Sequence, residues 1–360
     1  MKVILRNCSW QCVSWSRVLA LVLFLFLILA LKTFIALPPP PQRVMVKEIL
    51  YGMGQTGQPK HHQILLWSQM RSGSMFTQKL LTALSCTFLS EEPLRDAGIT
   101  DTHSSIKLLR DILHCRFSQQ SNYTQKWIHG HHTNERKFKT LCQDYGLLCK
   151  DPAWMDDMCK GSCVNFVRVV KPEMGIVTSL LEDAALRTQL VHLVRDPRAL
   201  LASRSYLEEG QEIIKLINGT FFTRDEKEPA KVCERYRQDL TAARLLLHHY
   251  PHRYTMVRYE DLTLNPERVI RQLYTFLGLP YTALVDYMVT TMTIGINTEY
   301  ENLHPFSTRK NTTNKMWAWR ERLTYPQMLH IQTLCSDVLE AYGYPIFTSQ
   351  QDFEGWNSPP

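Results

Sequence analysis

The sequence predicts an α/β fold, a parallel sheet flanked by helices, placed after one N-terminal transmembrane helix. Three observations lead there. Short apolar runs of strand length alternate with longer stretches whose apolar residues recur at helical spacing, the pattern of a parallel sheet covered by helices. A single stretch near the N-terminus is apolar over about the 20 residues that a bilayer demands. The remaining chain is globular in composition, with 44% hydrophobic and 21% charged residues among 360, enough to bury a sizeable core. Disordered, fibrous and multi-span classes are excluded.

Val18 to Leu31 carries no polar side chain, and the run resumes after Lys32 to reach Leu37. Lys32 sits near one end, where its stem lifts the ammonium to the headgroups. Four prolines, Pro38 to Pro41, follow directly, which favours an uncleaved anchor over a cleaved signal. Basic residues flank both sides, so charge alone does not orient the span. The rest of the chain does. Of ten cysteines, all but Cys8 and Cys12 lie beyond the span, as do sequons at Asn122, Asn218 and Asn311. Both features fit an oxidising lumen. The expected organisation is a cytosolic tail (1–17), a signal anchor (18–37), a stem (38–60) and a lumenal domain (61–360). Within that domain, Cys159 and Cys163 are spaced for a local disulfide.

The lumenal elements follow in order. Gln63 to Trp67 is a buried strand, Ser68 to Ser74 a polar turn, and Met75 to Leu84 a helix with Phe76, Leu80, Leu81 and Leu84 on one face. Thr87 to Leu89 is a second strand, closed by Glu91-Glu92-Pro93. Asn165 to Val170 and Gln189 to Val194 are strands, and Ala199 to Tyr206 is helical. Val232 to Tyr250 is a long amphipathic helix with Tyr236, Leu240, Ala243, Leu246 and Leu247 on one side. Tyr254 to Val257 is the last strand. Asn265, Pro266 and Gly278 supply the N-cap, N1 proline and C′ glycine of a further helix.

Net charge is +7 with no run of five basic residues, which speaks against a nucleic-acid partner and suits an acidic nucleotide or a polyanionic glycan. Two segments concentrate the chemistry. The turn Gln69-Met70-Arg71-Ser72-Gly73-Ser74 feeds a helix N-terminus, where free N–H groups and the dipole suit a phosphate. No GxxxxGK[ST] loop is present, which disfavours a nucleotide kinase. In the second segment, Arg195 ends a strand and Ser203 lies about two helical turns on, a clamp for another phosphate. Asp196 and Arg198 pair to stabilise the turn between them.

The segments ILLWSQMRSGSMF, SEEP, LVHLVRDPRALLASR and VRYEDL, in this order, resemble the Golgi carbohydrate sulfotransferases, most nearly the galactose/N-acetylglucosamine/N-acetylgalactosamine 6-O group, across residues 63–344. The resemblance implies a P-loop-like sulfotransferase fold and the donor 3′-phosphoadenosine 5′-phosphosulfate (PAPS). It implies that Arg71, Ser72, Gly73 and Ser74, with Met75 and Phe76 behind them, hold the 5′-phosphosulfate. Arg195 and Ser203 hold the 3′-phosphate, and Arg309 with the Trp319-Arg320 pair resembles the segment that closes over the nucleotide. The chain departs from the family at Met75, where a hydroxyl is usual, so that one phosphate contact is either lost or supplied by Thr77. Arg168 and Lys171 stand where the family more often has Lys first and Arg second, and Leu94-Arg95-Asp96 replaces an aromatic stretch.

The implied reaction is sulfuryl transfer to a sugar hydroxyl of a glycan, with Glu92 as base, Glu91 as its fallback and Arg71 stabilising the transferred group. No metal is expected, since the histidines form adjacent pairs (61–62, 131–132, 248–249) that point different ways. Two alternatives stay open: transfer to a protein tyrosine, and a lectin-like membrane protein on an inactive copy of the fold. The implied location is the Golgi membrane, type II, as monomer or homodimer.

Overall fold

The computed structural model describes residues 61–120, 122–125, 151–170, 173–209, 222–294 and 316–355. The tail, span and stem, and the predicted residues Lys171, Arg309, Asn218 and Asn311, lie outside them. Among the described residues no helix is long and apolar enough to cross a membrane.

Five strands form one sheet: β1 (His62–Ser68), β2 (Thr87–Glu91), β3 (Val164–Val170), β4 (Gln189–Val194) and β5 (Tyr254–Arg258). Every pairing is parallel and the order is β2-β3-β1-β4-β5. This is the predicted architecture. The chain up to the end of this sixth helix supplies α1 (Ser74–Leu81), α2 (Pro93–Ala97), α3 (Thr102–Leu113), α4 (Pro152–Lys160), α5 (Val177–Leu181) and α6 (Pro197–Glu209). The rest supplies α7 (Arg224–Lys227), α8 (Pro229–His249), α9 (Tyr259–Leu264), α10 (Pro266–Leu277), α11 (Ala283–Ile294), α12 (Tyr325–Leu334), α13 (Ser336–Ala341) and α14 (Gln350–Gly355).

The unbroken apolar run of β1 follows from burial on both faces. Ile64 and Leu66 join Phe166, Val191 and Leu193 in a core under α1, α10 and α11. Leu65 and Trp67 join Val167, Val169 and Leu190 in a second core under α3, α4, α5 and α8. Each fully buried side chain of this size contributes about 1.5–3 kcal/mol. A third core, around α6, α8, α12 and α13, holds the C-terminal segment.

Several local expectations need correcting. Asn265 occupies the N-cap of α10 but its side chain makes no capping bond, although Gly278 does take the left-handed C-cap at φ 67°. Leu247 is 58% exposed, because α8 buries Asp239, Ala242 and Ala243 on the face between Tyr236 and Leu246. Cys159 and Cys163 do not pair with each other. The last turn of α4 carries Cys159 into the core opposite Cys115, while Cys163 enters β3 beside Cys86, giving disulfides Cys115–Cys159 and Cys86–Cys163. A third joins Cys233 of α8 to Cys335, just after α12. His248 and His249 do not point apart; their rings meet edge-to-face at 4.8 Å.

Candidate functional site

The chain runs from β1 to one side of the sheet and returns through β4 to the other, so its direction reverses between β1 and β4. Ligands of open parallel sheets bind in the crevice outside the strands' carboxyl ends at that point. Both phosphate-binding segments predicted from sequence open there.

The β1–α1 turn is sharply bent. Arg71 (φ 74°) and Gly73 (φ 94°) are left-handed. An ideal Cβ on Gly73 would lie 2.3 Å from Cδ2 of Tyr259, so glycine is required by space as well as by φ. Gly73 is also the N-cap of α1, and no side chain caps the helix. The first intrahelical bond belongs to Thr77, whose N–H donates to the Gly73 carbonyl at 3.1 Å. The N–H groups of the first turn therefore face the crevice uncapped.

The second segment closes onto the first. Arg195 Nη1 donates to the Arg71 carbonyl at 2.8 Å, and Arg71 Nε donates to Ser203 Oγ at 3.1 Å. The Arg195 guanidinium lies 4.6 Å from the centroid of the Tyr259 ring, the same ring that fills the space beside Gly73. Tyr236 fixes the backbone by donating its hydroxyl to the Arg195 carbonyl at 2.6 Å. Ser72 is fully buried with its hydroxyl unpartnered, and so is Arg195 Nε. Burial, then the neighbouring charges of Arg195 and Arg322, lower the Arg71 guanidinium to about 10. Cations crowding one another beside an uncapped helix N-terminus describe a site for a polyanion.

Glu92 borders the same crevice from the end of β2, in a left-handed conformation (φ 44°). Its N–H donates to the Arg168 carbonyl at 2.8 Å, and Arg168 Nη1 returns an ion pair to Glu92 Oε1 at 2.9 Å. The same Nη1 donates to Ser74 Oγ at 3.3 Å, linking the carboxylate to the phosphate turn. Arg95 Nη1 holds the other oxygen at 3.1 Å. Each oxygen of Glu92 keeps a further lone pair for a proton. Glu91 is hydrogen-bonded to Gln78. Three non-glycine residues have positive φ among the described residues, and two of them, Arg71 and Glu92, are predicted site residues. Such conformations cost on the order of 1–3 kcal/mol each and gather at functional sites.

The sulfotransferase family model matches residues 63–283, more than half of the chain. This chain belongs to the sulfotransferase family. Carbohydrate sulfotransferase 1 of Mus musculus is 26% identical over 97% of this chain and 96% of its own length. Carbohydrate sulfotransferase 5 of Homo sapiens is 28% identical over 82% and 80%. Among solved structures, the sulfotransferase domain from the curacin biosynthetic pathway is 16% identical with a TM-score of 0.46, covering 81% of this chain and 100% of its own. Mouse sulfotransferase SULT7A1 complexed with PAP is 10% identical with a TM-score of 0.42, covering 82% and 90%.

Within this sulfotransferase, Phe76, Thr77 and the Trp319-Arg320 pair are held as follows. The Phe76 ring packs in the core with Ile64 and Leu66, which leaves its backbone N–H as its contribution to the crevice. Thr77 does not replace the hydroxyl missing at Met75. It is buried and its hydroxyl donates back to the Gly73 carbonyl at 3.2 Å, an ordinary i−4 helix bond. The Trp319-Arg320 pair faces the C-terminal core: Trp319 packs with Phe347 and Phe353, and the Arg320 guanidinium lies over the same two rings. Asp196 and Arg198 form the expected pair at 2.7 Å, and Arg198 also reaches Gln332 of α12 at 2.8 Å.

Sequence reasoning passed over Tyr259, Arg204 and the bridging role of Arg168. Arg204 is buried on α6 and donates to the Met70 carbonyl through Nε at 3.3 Å and Nη2 at 3.0 Å, pinning the turn from behind. Burial brings it to about 10. Its signal was present: Arg204 is adjacent to Ser203, and a second arginine on a helix facing a phosphate turn is a natural brace. Among the described residues, one group of metal-ligating side chains converges, His61, Cys115 and Cys159, and the two cysteines are joined as a disulfide.

Proposed function

We propose that this sulfotransferase moves a sulfuryl group from PAPS to a sugar hydroxyl on a glycan, at the 6-position of galactose, N-acetylglucosamine or N-acetylgalactosamine. The observation that carries the reading is the joining of Arg71, Arg195 and Ser203 at the β1/β4 crevice, beside an uncapped helix N-terminus. Similarity to curated carbohydrate sulfotransferases supports the sugar acceptor. The α1 N–H groups, Ser72, Ser74 and Arg71 hold the 5′-phosphosulfate, and Arg195 with Ser203 holds the 3′-phosphate.

In the transfer, Glu92 takes the proton of the acceptor hydroxyl as its oxygen bonds to sulfur. The bond from sulfur to the bridging oxygen breaks, and that oxygen leaves with the electron pair on 3′-phosphoadenosine 5′-phosphate. Arg71 and the helix N-terminus balance the charge that builds there. Arg168, tied to both Glu92 and Ser74, sets the distance between base and donor. Three disulfides among the described residues and an exposed sequon at Asn122 agree with a lumenal domain, anchored in the Golgi membrane by Val18 to Leu37.

The test is incubation of the detergent-purified full chain with radiolabelled PAPS and desulfated chondroitin, keratan and mucin-type oligosaccharides, with positional analysis of the product. Glu92→Gln is expected to lower turnover by about 10²- to 10⁴-fold while binding of 3′-phosphoadenosine 5′-phosphate stays close to wild type. Turnover equal to wild type removes Glu92 from the mechanism. Arg195→Ala is expected to weaken nucleotide binding first, and an unchanged dissociation constant counts against its role. Label appearing on tyrosine peptides alone would overturn the sugar acceptor.

A further inference from the structure

At the amino ends of β1 and β3, the opposite end of the sheet from the crevice, three side chains converge that sulfuryl transfer does not use. His61 directly precedes β1, Cys115 follows α3, and Cys159 lies in the last turn of α4. One ligating atom from each lies within 4.8 Å of the other two. Cys115 is 2% exposed and Cys159 is fully buried, while His61 is half-buried. Cys115 is also the third non-glycine residue with positive φ among those described, at 55°, and unlike Arg71 and Glu92 it has no part in the donor crevice.

The histidine is already oriented as a metal ligand. Its Nδ1 lies 2.9 Å from the Ser162 carbonyl, which can only accept, so the neutral ring carries its hydrogen there. The Nε2 lone pair is left facing Cys115 Sγ at 3.7 Å. Histidines on metals are held in this way, the second nitrogen donating to a carbonyl or carboxylate. Asn165, fully buried, donates its amide to the Ile112 carbonyl at 2.9 Å and lies 3.7 Å from Cys115 Sγ, where it can steady a thiolate. Tetrahedral zinc, with bonds of about 2.3 Å to sulfur and 2.0–2.1 Å to nitrogen, separates its ligand atoms by about 3.5–3.8 Å. The His61–Cys115 spacing falls in that range already. The sulfurs, here bonded to each other, reach it when that bond opens. Two thiolates also neutralise a divalent cation, as burial demands, and a set of two thiolates and an imidazole suits zinc.

We propose that His61, Cys115 and Cys159 are a redox-gated zinc site: with the disulfide reduced, the two thiolates and His61 Nε2 bind one Zn²⁺, and water is the fourth ligand. An external dithiol delivers two electrons and two protons to the sulfur–sulfur bond and is itself oxidised to a disulfide. Zn²⁺ then displaces both thiol protons to solvent. Reoxidation releases the metal, because the thiolate is the ligand. Either cross-link ties the end of α3 to the end of α4, and the metal adds the start of β1. The site stands apart from the donor crevice, whether or not PAPS is the donor.

For the test, the detergent-purified full chain is reduced with a dithiol, freed of it without air, and alkylated with iodoacetamide at graded Zn²⁺. Peptide mass spectrometry then reads each cysteine separately. Zinc is expected to slow alkylation of Cys115 and Cys159 together, while Cys233 and Cys335 react as they do without metal. His61→Ala is expected to raise the zinc concentration for half-protection at least about tenfold, since even outer-shell partners of zinc ligands contribute about 10–100-fold. This variant keeps the disulfide when oxidised, so its circular dichroism and denaturation midpoint are expected to match wild type and confine the difference to binding. No protection in the wild-type chain overturns the proposal. Equal protection in wild type and His61→Ala overturns it too, as does protection that extends equally to Cys233 and Cys335.

Discussion

Gly73→Ala tests whether the phosphate turn is shaped as described. At φ 94° the backbone is one that an L side chain rarely adopts, which costs about 1–2 kcal/mol. The new Cβ would also meet Tyr259 at 2.3 Å from Cδ2 and 2.4 Å from Cε2. The ring has little freedom to withdraw: it packs with Val257 and Leu262, and Arg195 lies over it. Overpacking of this kind costs about 1–3 kcal/mol, so the two effects together give about 2–5 kcal/mol. Tyr259→Val, whose side chain stops at Cγ, removes the clash and leaves the backbone strain. A double-mutant cycle, read from denaturant midpoints of the full chain with disulfides intact, separates them. Gly73→Ala is expected to cost about 2–5 kcal/mol in the native background and about 1–2 kcal/mol beside Tyr259→Val. Equal costs in both backgrounds would refute the contact between ring and turn.

Glu260 accepts from the Asp196 N–H at 3.1 Å and from the Tyr344 hydroxyl at 3.0 Å, and burial, then Asp196, push it up to about 7. A folded value above the unfolded 4.5 means that its stabilising effect is complete below pH 4.5 and fades as pH rises through 7. Glu260→Gln should therefore cost less at pH 8 than at pH 5, by about 2–3 kcal/mol in denaturant midpoints, and a pH-independent difference would refute the assignment. Removing the Cys233–Cys335 bridge by double alanine substitution opens a loop of sequence separation 102 and should cost about 3–5 kcal/mol. A loss below about 1 kcal/mol would show that the third core holds the C-terminal segment unaided.

The sheet was legible because β1, β3 and β4 are buried on both faces and therefore read as short, mostly apolar runs, interrupted by Asn165 and Arg168 in β3 and by His192 in β4. The end of α10 was legible because glycine takes the left-handed C-cap conformation, here φ 67° at Gly278, more readily than any other residue. The segments that bring Arg71, Arg195 and Ser203 together were legible because each is local: a strand end, a turn and the first turns of one helix. What depends on register was not. The Glu92–Arg168–Ser74 link requires Glu91 of β2 to align with Arg168 of β3, and no local pattern encodes that pairing. Tyr259 is invisible for the same reason, since its ring acts on a glycine from another strand end. Helix geometry could have decided what Phe76 and Thr77 present: the Phe76 ring shares the core face with Leu80, and Thr77 stands four residues after the carbonyl it bonds.

The arginines of this fold divide by what holds them. Arg198, Arg237, Arg258 and Arg271 each close on a carboxylate, so their charge is spent on structure. Arg195 and Arg204 are instead held by carbonyls of the β1–α1 turn, at Arg71 and Met70. A neutral oxygen fixes a guanidinium in place without cancelling its charge, and no partner has to be displaced when an anion arrives. That is the electrostatic preorganisation a donor site needs. Arg168 stands between the two classes. It is paired with Glu92 and also donates to Ser74, so it contributes less net charge to the crevice than Arg195 but ties Glu92 to the β1–α1 turn. Breaking that buried pair by truncating Glu92 would cost about 3–5 kcal/mol, which is why the amide, able to keep the Arg168 contact, is the substitution that separates chemistry from folding.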